Sequence, residues 1–192
     1  IGRSYMPNEY ANYLFDKYNS SYKALKEDFC TVEIDNSILD ELKKQSFFND
    51  EVLTAKENLE RIKKIWTENY DKINDYLKSV LKVDYQLNTI CYILSPNLNR
   101  GRNIGNNRFV WGHKKGLNNA NYDLVYLVHE SLHSFFASGL LTHTIIENIS
   151  DIELARLLNG EKNAGYPTHA YLKEHHIQVF PFWNLYLKRT KE

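Results

Sequence analysis

The stretch Leu127–Phe135 reads L-V-H-E-S-L-H-S-F, and it places His129, Glu130 and His133 in a run that is otherwise apolar or small. Burying an imidazole or a carboxylate without a partner costs several kcal/mol per group. The three side chains therefore need partners, which are either each other in an ordinary protein core or a metal ion. A metal ion is the partner that this pattern favours, because the neighbouring residues are uncharged.

The sequence on either side of this stretch predicts one central helix. Asn121 or Asp123 can cap its start, and Gly139 can cap its end. Apolar side chains recur on every face of the residues between them, which is typical of a helix that is packed on all sides. We therefore expect the three ionisable side chains to lie on a buried helix rather than on a surface helix.

On such a helix the three side chains have the arrangement of a zinc-binding H-E-x-x-H motif. Residues four apart project from the same face about 6 Å from each other, so His129 and His133 can bind one ion. Glu130 lies about 100° round the helix axis, where its carboxylate can take a proton from a water molecule beside the ion. His129 and His133 are therefore candidate zinc ligands, and Glu130 is the candidate catalytic base.

A tetrahedral catalytic zinc also needs a third protein ligand, and the next predicted helix offers two. Glu147 is followed one turn later by Asp151, which is spaced to accept a hydrogen bond from a ligating imidazole. His143 lies one turn before Glu147 on the same face and is the alternative ligand. The sequence favours Glu147, because only this residue comes with a suitably spaced aspartate.

The H-E-x-x-H motif followed by E-N-I-S-D (Glu147–Asp151) resembles the gluzincin metallopeptidases, whose second active-site helix carries a Glu-x-x-x-Asp of this type. The resemblance covers residues 88–190 and is to the compact catalytic unit of the minigluzincins. It implies one Zn²⁺ per chain, bound by His129, His133 and Glu147. It also implies that Glu130 is the catalytic base and that Asp151 orients one imidazole. The spacing between His133 and Glu147 is shorter than in many larger members.

The resemblance implies two features of substrate binding as well. In this family a strand upstream of the H-E-x-x-H helix pairs with the substrate backbone, and a downstream His or Tyr stabilises the oxyanion. Tyr166 and His169, which flank a predicted helix start at Pro167, are candidates for the second role. Further residues of these types in the same region are Tyr171, His175 and His176. Tyr126 departs from the family, in which a smaller residue is common, but it removes no catalytic group.

Strands are predicted only between residues 86 and 113. Thr89–Leu94 is β-branched and aromatic, and Arg108–Trp111 follows an Asn- and Gly-rich loop that is too long for a tight hairpin. We predict that these two segments form a small antiparallel sheet beside the H-E-x-x-H helix. The predicted fold class is therefore α+β and mainly helical, with residues 1–85 as an N-terminal helical region and residues 86–192 as a zincin-like catalytic region.

Three further helices are predicted from periodicity and capping residues. A long amphipathic helix begins at Asn49 or Asp50 and ends near residue 81. A second helix covers Thr142–Leu158, and the last covers Thr168–Lys188, where Pro181 is expected to kink or split it.

Composition excludes some classes of partner. The 192 residues carry 24 Lys and Arg against 24 Asp and Glu, so no global positive field attracts nucleic acid. No apolar run is long enough to span a membrane. Cys30 and Cys91 lie in no paired motif, and we expect buried thiols rather than a disulfide framework.

These observations together predict a zinc-dependent metallopeptidase that hydrolyses a peptide or protein substrate. One alternative is a catalytically silent zinc-binding pseudoprotease or regulatory protein-interaction domain that uses the same cleft. Another is a helical protein in which the histidines are coincidental. The intact Glu130 favours the enzyme, because a pure binding site has no need of a general base.

Overall fold

The computed structural model describes residue 40 and residues 43–83, 89–160 and 169–190. Over these residues the fold is α+β and mainly helical, as predicted. The helices are α1 Ser46–Leu81, α2 Lys115–Asn118, α3 Ala120–Phe135, α4 Leu140–Glu147, α5 Ala155–Asn159 and α6 Lys173–Thr190. The strands are β1 Ile90–Ile93, β2 Arg100–Gly105 and β3 Arg108–Gly112. Short 3₁₀ turns span Pro96–Leu98 and Ala170–Leu172, and a π-helical segment spans Asn148–Leu154.

The sheet has three strands in the order β1-β3-β2. β1 pairs with β3 in parallel, whereas β2 pairs with β3 antiparallel. The prediction that Thr89–Leu94 and Arg108–Trp111 pair antiparallel was therefore wrong. The loop predicted between them contains a third strand, β2, which reverses the chain direction once more. Asn106 and Asn107, both with positive φ, make the tight turn from β2 to β3.

Close packing of β2 on β3 depends on one glycine. The register places Ile90 opposite Arg108 and Gly101 opposite Trp111. A Cβ atom added at Gly101 would overlap the six-membered ring of Trp111. The indole, which is only 2% exposed, therefore lies over β2 at a position that admits no larger residue.

A buried carboxylate connects α1, β3 and α3. Asp123 is fully buried and accepts hydrogen bonds from Trp111 Nε1 at 2.7 Å and from Arg61 Nη2 at 2.5 Å. Arg61 also donates from Nη1 to the carbonyl oxygen of Gly116 at 3.0 Å. Breaking such a pair leaves an uncompensated buried charge, which is strongly destabilising. The network therefore fixes the start of α3 against both the sheet and α1.

The main hydrophobic core lies where α1, α3 and the helical segments after α3 meet. Its fully buried side chains include Ile73, Leu77, Leu124, Val125, Val128, Leu132, Ile146, Ile149 and Leu154. The long helix α1 thus shares one core with the H-E-x-x-H helix. None of the helices in the described ranges is long and apolar enough to cross a membrane.

The helix boundaries differ from the predictions in three places. α3 begins at Ala120, and its N-cap is Asn119, whose side chain accepts a hydrogen bond from the backbone N–H of Asn121; the predicted caps Asn121 and Asp123 were therefore wrong. α1 begins at Ser46, before the predicted caps Asn49 and Asp50, since no helix breaker precedes them. α3 ends at residue 135 because Phe136 adopts an extended backbone, with φ −96° and ψ 147°. Gly139, predicted to cap the end of α3, instead precedes α4 with φ 156°, a conformation that glycine adopts readily.

The remaining helices agree more closely with their predicted extents. The predicted helix Thr142–Leu158 is present as α4, the π-helical segment and α5 in direct succession. The predicted helix Thr168–Lys188 is present as α6 after a 3₁₀ turn. Pro181 lies within α6 and does not split it. The predicted start of this last helix, Thr168, lies in residues 161–168, which are outside the described ranges.

Candidate metal centre

His129 is buried on α3 and is held by the π-helical segment. Its Nδ1 lies 3.3 and 3.2 Å from the two carboxylate oxygens of Asp151, and 3.3 Å from Ser150 Oγ. Burial lowers the pKa of His129, but the hydrogen bond and charge of Asp151 outweigh it, so that the pKa lies above its usual value. A carboxylate only accepts hydrogen bonds, which favours a proton on Nδ1 and, in the neutral ring, a lone pair on Nε2.

His133 brings a second nitrogen to the same point. Its Nε2 lies 3.1 Å from Nε2 of His129, one helical turn before it. Burial, together with the nearby rings of His129 and His143, lowers the pKa of His133 to about 4. The ring is therefore neutral near pH 7 and is available as a ligand.

His143, the alternative third ligand, lies beside these two histidines. The donor atoms of His129, His133 and His143 all lie within 4.8 Å of one another. Nε2 of His143 is buried and has no hydrogen-bond partner, which is uncommon for a buried polar atom. Burial lowers the pKa of His143, so this ring too favours the neutral form. A metal-binding imidazole has such a nitrogen, because the ion binds it in place of a hydrogen-bond partner.

Glu147, the favoured third ligand, is fully buried and already surrounded by donors. Oε1 accepts a hydrogen bond from the backbone N–H of His169 at 2.9 Å and contacts its Nδ1, and Oε2 lies 2.5 Å from Nε2 of His176. Burial alone would raise the pKa of Glu147, but hydrogen bonds from His169 and His176 lower it to about 2. Glu147 is therefore a buried, charged carboxylate.

The structure thus divides the predicted ligands between two overlapping groups. His129 and His133 group with His143, whereas Glu147 groups with His143 and His169. Either group has the donor types that could hold a metal ion, since imidazole and carboxylate are both ligands of divalent transition metals. Asp151 was expected to accept a hydrogen bond from one imidazole, and it lies against a ring nitrogen of His129.

Two partners of Glu147 were not predicted as such. His169 was named only as an oxyanion candidate, and His176 only as one of several further residues. Both come from the last part of the chain, and no sequence spacing connects them to α4. The other oxyanion candidate, Tyr166, lies outside the described residues.

Glu130, the candidate base, is half-buried next to the histidines. Burial raises its pKa, and the neighbouring His129 offsets part of that increase. The backbone carbonyl of Glu130 accepts a hydrogen bond from Asn103 Nδ2 on β2 at 3.3 Å. The edge strand β2 is therefore anchored at the residue that would act as base.

Comparison of the chain with protein families, with characterised proteins and with solved structures gives no match. Evidence for function therefore comes from the residues of this site and from their geometry.

Proposed function

We propose that this protein is a zinc-dependent metallopeptidase. The observation that carries the proposal is the convergence of imidazole nitrogens from His129, His133 and His143 beside a half-buried carboxylate, Glu130. Nε2 of His133 lies 3.1 Å from Nε2 of His129, and Nε2 of His143 is buried without a hydrogen-bond partner, so a cation bound here would have three nitrogen donors within reach. Imidazole ligands suit zinc, and an adjacent carboxylate suits hydrolysis.

Two helices would supply the zinc ligands. His129 and His133 come from α3, and the third ligand comes from α4, where the resemblance to gluzincins assigns Glu147. The contact between Asp151 and His129 supports His129 as a ligand, because carboxylates of this kind hold a ligating imidazole in the metal-binding tautomer. When bound, the zinc ion would polarise the scissile carbonyl and lower the pKa of the attacking water.

Glu130 would transfer the proton. Its raised pKa makes it a better base than an exposed glutamate. It would take a proton from the attacking water and later deliver that proton to the leaving amine. Because Glu130 follows His129 directly in the chain, α3 positions the base and the ligands as one rigid unit.

The strand β2 would hold the substrate. It lies at one edge of the sheet, and its outer side pairs with no other strand within the described part of the chain. An extended peptide can add to such an edge through main-chain hydrogen bonds. The hydrogen bond from Asn103 to the backbone of Glu130 would place that peptide next to the base.

Glu130→Gln tests the proposal, because the amide keeps the shape of the side chain but has no useful basicity. Zinc-loaded wild type should cleave members of a peptide library, and the variant should lose roughly two to four orders of magnitude in rate with its zinc content unchanged. The matched control is Glu153→Gln, which removes a carboxylate paired with Arg156 at 2.8 Å and should leave the rate unaltered.

Full activity in Glu130→Gln would disprove the assigned base. A zinc-loaded wild type that cleaves nothing in a broad library would instead favour the regulatory binding domain.

A further inference from the structure

His143 belongs to both groups of donor atoms, and one of its nitrogens faces the site. Its Nδ1 lies 3.3 Å from the hydroxyl of Tyr171, which leaves Nε2 on the inner side of the ring. Nε2 lies 3.9 Å from Glu147 Oε1. His143 is the residue that both groups share, so its ring lies between the H-E-x-x-H histidines and Glu147. An ion bound by those three residues would therefore lie beside His143.

The environment of His143 supplies no substitute for an ion. Nε2 is buried and lacks a hydrogen-bond partner. The ring meets those of His129 and His133 edge-on, with centroids 5.3 and 4.7 Å apart. An ion bound by the two H-E-x-x-H histidines would therefore lie next to this unpartnered nitrogen.

We propose that His143 is a fourth protein ligand that closes the zinc site in the resting protein and must leave before a substrate can bind. This inference rests on the metallopeptidase function proposed above. Zinc sites with four protein ligands are closed, whereas catalytic sites keep one position for an external ligand. With His129, His133 and Glu147 bound to the ion, His143 occupies that remaining position.

His143 is also less restrained than Glu147 and His129. Its side chain is 20% exposed, against 0% for Glu147 and 3% for His129. Asp151 holds His129, and two histidines hold Glu147, whereas the contact of His143 is to Tyr171, which is 59% exposed. His143 follows the exposed residues 137–141 at the start of α4. It can therefore move away without breaking a buried hydrogen bond.

His143→Ala tests the inference by X-ray absorption spectroscopy and by titration with acetohydroxamate, a small zinc-binding anion. The zinc-loaded wild type should show three imidazole ligands, and the variant should keep its zinc with two. If His143 closes the site for nine-tenths of the time, its removal should strengthen acetohydroxamate binding about tenfold. Peptide hydrolysis should rise by the same factor, which is opposite to the effect of losing an essential ligand.

Two further variants support the comparison. Leu141→Ala alters an exposed side chain on the same turn of α4 and should change neither measurement. His143→Gln keeps more of the side-chain volume and should behave as His143→Ala does, so that a folding defect of the alanine variant would not decide the result.

A wild-type spectrum with two imidazole ligands, or equal acetohydroxamate affinity in both proteins, would overturn the inference and leave the peptidase proposal standing. Loss of zinc from His143→Ala would also overturn it, because His143 would then be a required ligand. The expected spectra and anion binding without any peptide hydrolysis would support the role of His143 and overturn the peptidase function instead.

Discussion

Replacing Asp151 by Asn tests how the protein prepares His129 for a metal ion. Asp151 is 1% exposed, and its oxygens lie 3.3 and 3.2 Å from Nδ1 of His129. The carboxylate accepts only, so the proton stays on Nδ1 and Nε2 keeps its lone pair. An amide at position 151 can donate to Nδ1 instead, which stabilises the tautomer with its proton on Nε2, where the metal would bind.

The contacts around His129 set the size of the expected loss. Both oxygen contacts are longer than the ~2.9 Å of a strong charge-assisted hydrogen bond, and Ser150 Oγ at 3.3 Å remains as a second acceptor. Changes to carboxylates that orient ligating histidines cost about 10–100-fold in metal affinity. We therefore expect zinc affinity to fall about tenfold in Asp151→Asn, or about 1.4 kcal/mol. Adding Ser150→Ala should increase the loss.

The assay is competition between the apo protein and a chromophoric zinc chelator near neutral pH, with circular dichroism to check the fold. Glu153→Gln is the control, since it removes a negative charge from the same helical segment without touching His129. An unchanged zinc affinity in Asp151→Asn would refute the reasoning. An equal loss in Glu153→Gln would also refute it, because overall charge would then explain the effect.

Two other predictions concern the sheet. Gly101→Ala forces a Cβ atom into the ring of Trp111 and should lower the free energy of unfolding by about 1–3 kcal/mol. Chemical denaturation measures this change, and unchanged stability would show that β2 shifts freely. Burial, with a contribution from nearby carboxylates, raises the pKa of Cys91 to about 12, so the reactive thiolate is scarce at pH 8. In a Cys30→Ser background, an aromatic disulfide reagent should therefore modify the native protein far more slowly than the denatured protein; equal rates would contradict the burial of this thiol.

Local sequence patterns predicted the elements of the fold better than their pairing. The helix α3 was predicted from a segment with apolar residues on every face, and the segments at β1 and β3 were predicted from their β-branched and aromatic residues. The strand β2 was missed because R-G-R-N-I-G has the composition of a loop, and only its pairing with β3 makes it a strand. The Asn106-Asn107 pair was an available signal, since asparagine tolerates the positive φ that tight hairpin turns require.

For the site, spacing within one helix was informative and contacts between distant segments were not. The i,i+4 relation places His129 next to His133, and the pair Glu147 and Asp151 also follows from spacing. The approach of His169 and His176 to Glu147 joins α4 to residues more than twenty positions later. Such contacts depend on how α6 packs, which local patterns do not encode.

Zinc content per chain, measured by mass spectrometry on purified wild type and on His133→Ala, tests the central claim most directly. Both proteins would be loaded with zinc and then dialysed against buffer without chelator. The account predicts about one zinc ion per wild-type chain and almost none in the variant, because His133 is one of the ligands of the site. A wild type that retains no zinc, or a variant that retains as much as the wild type, would contradict it.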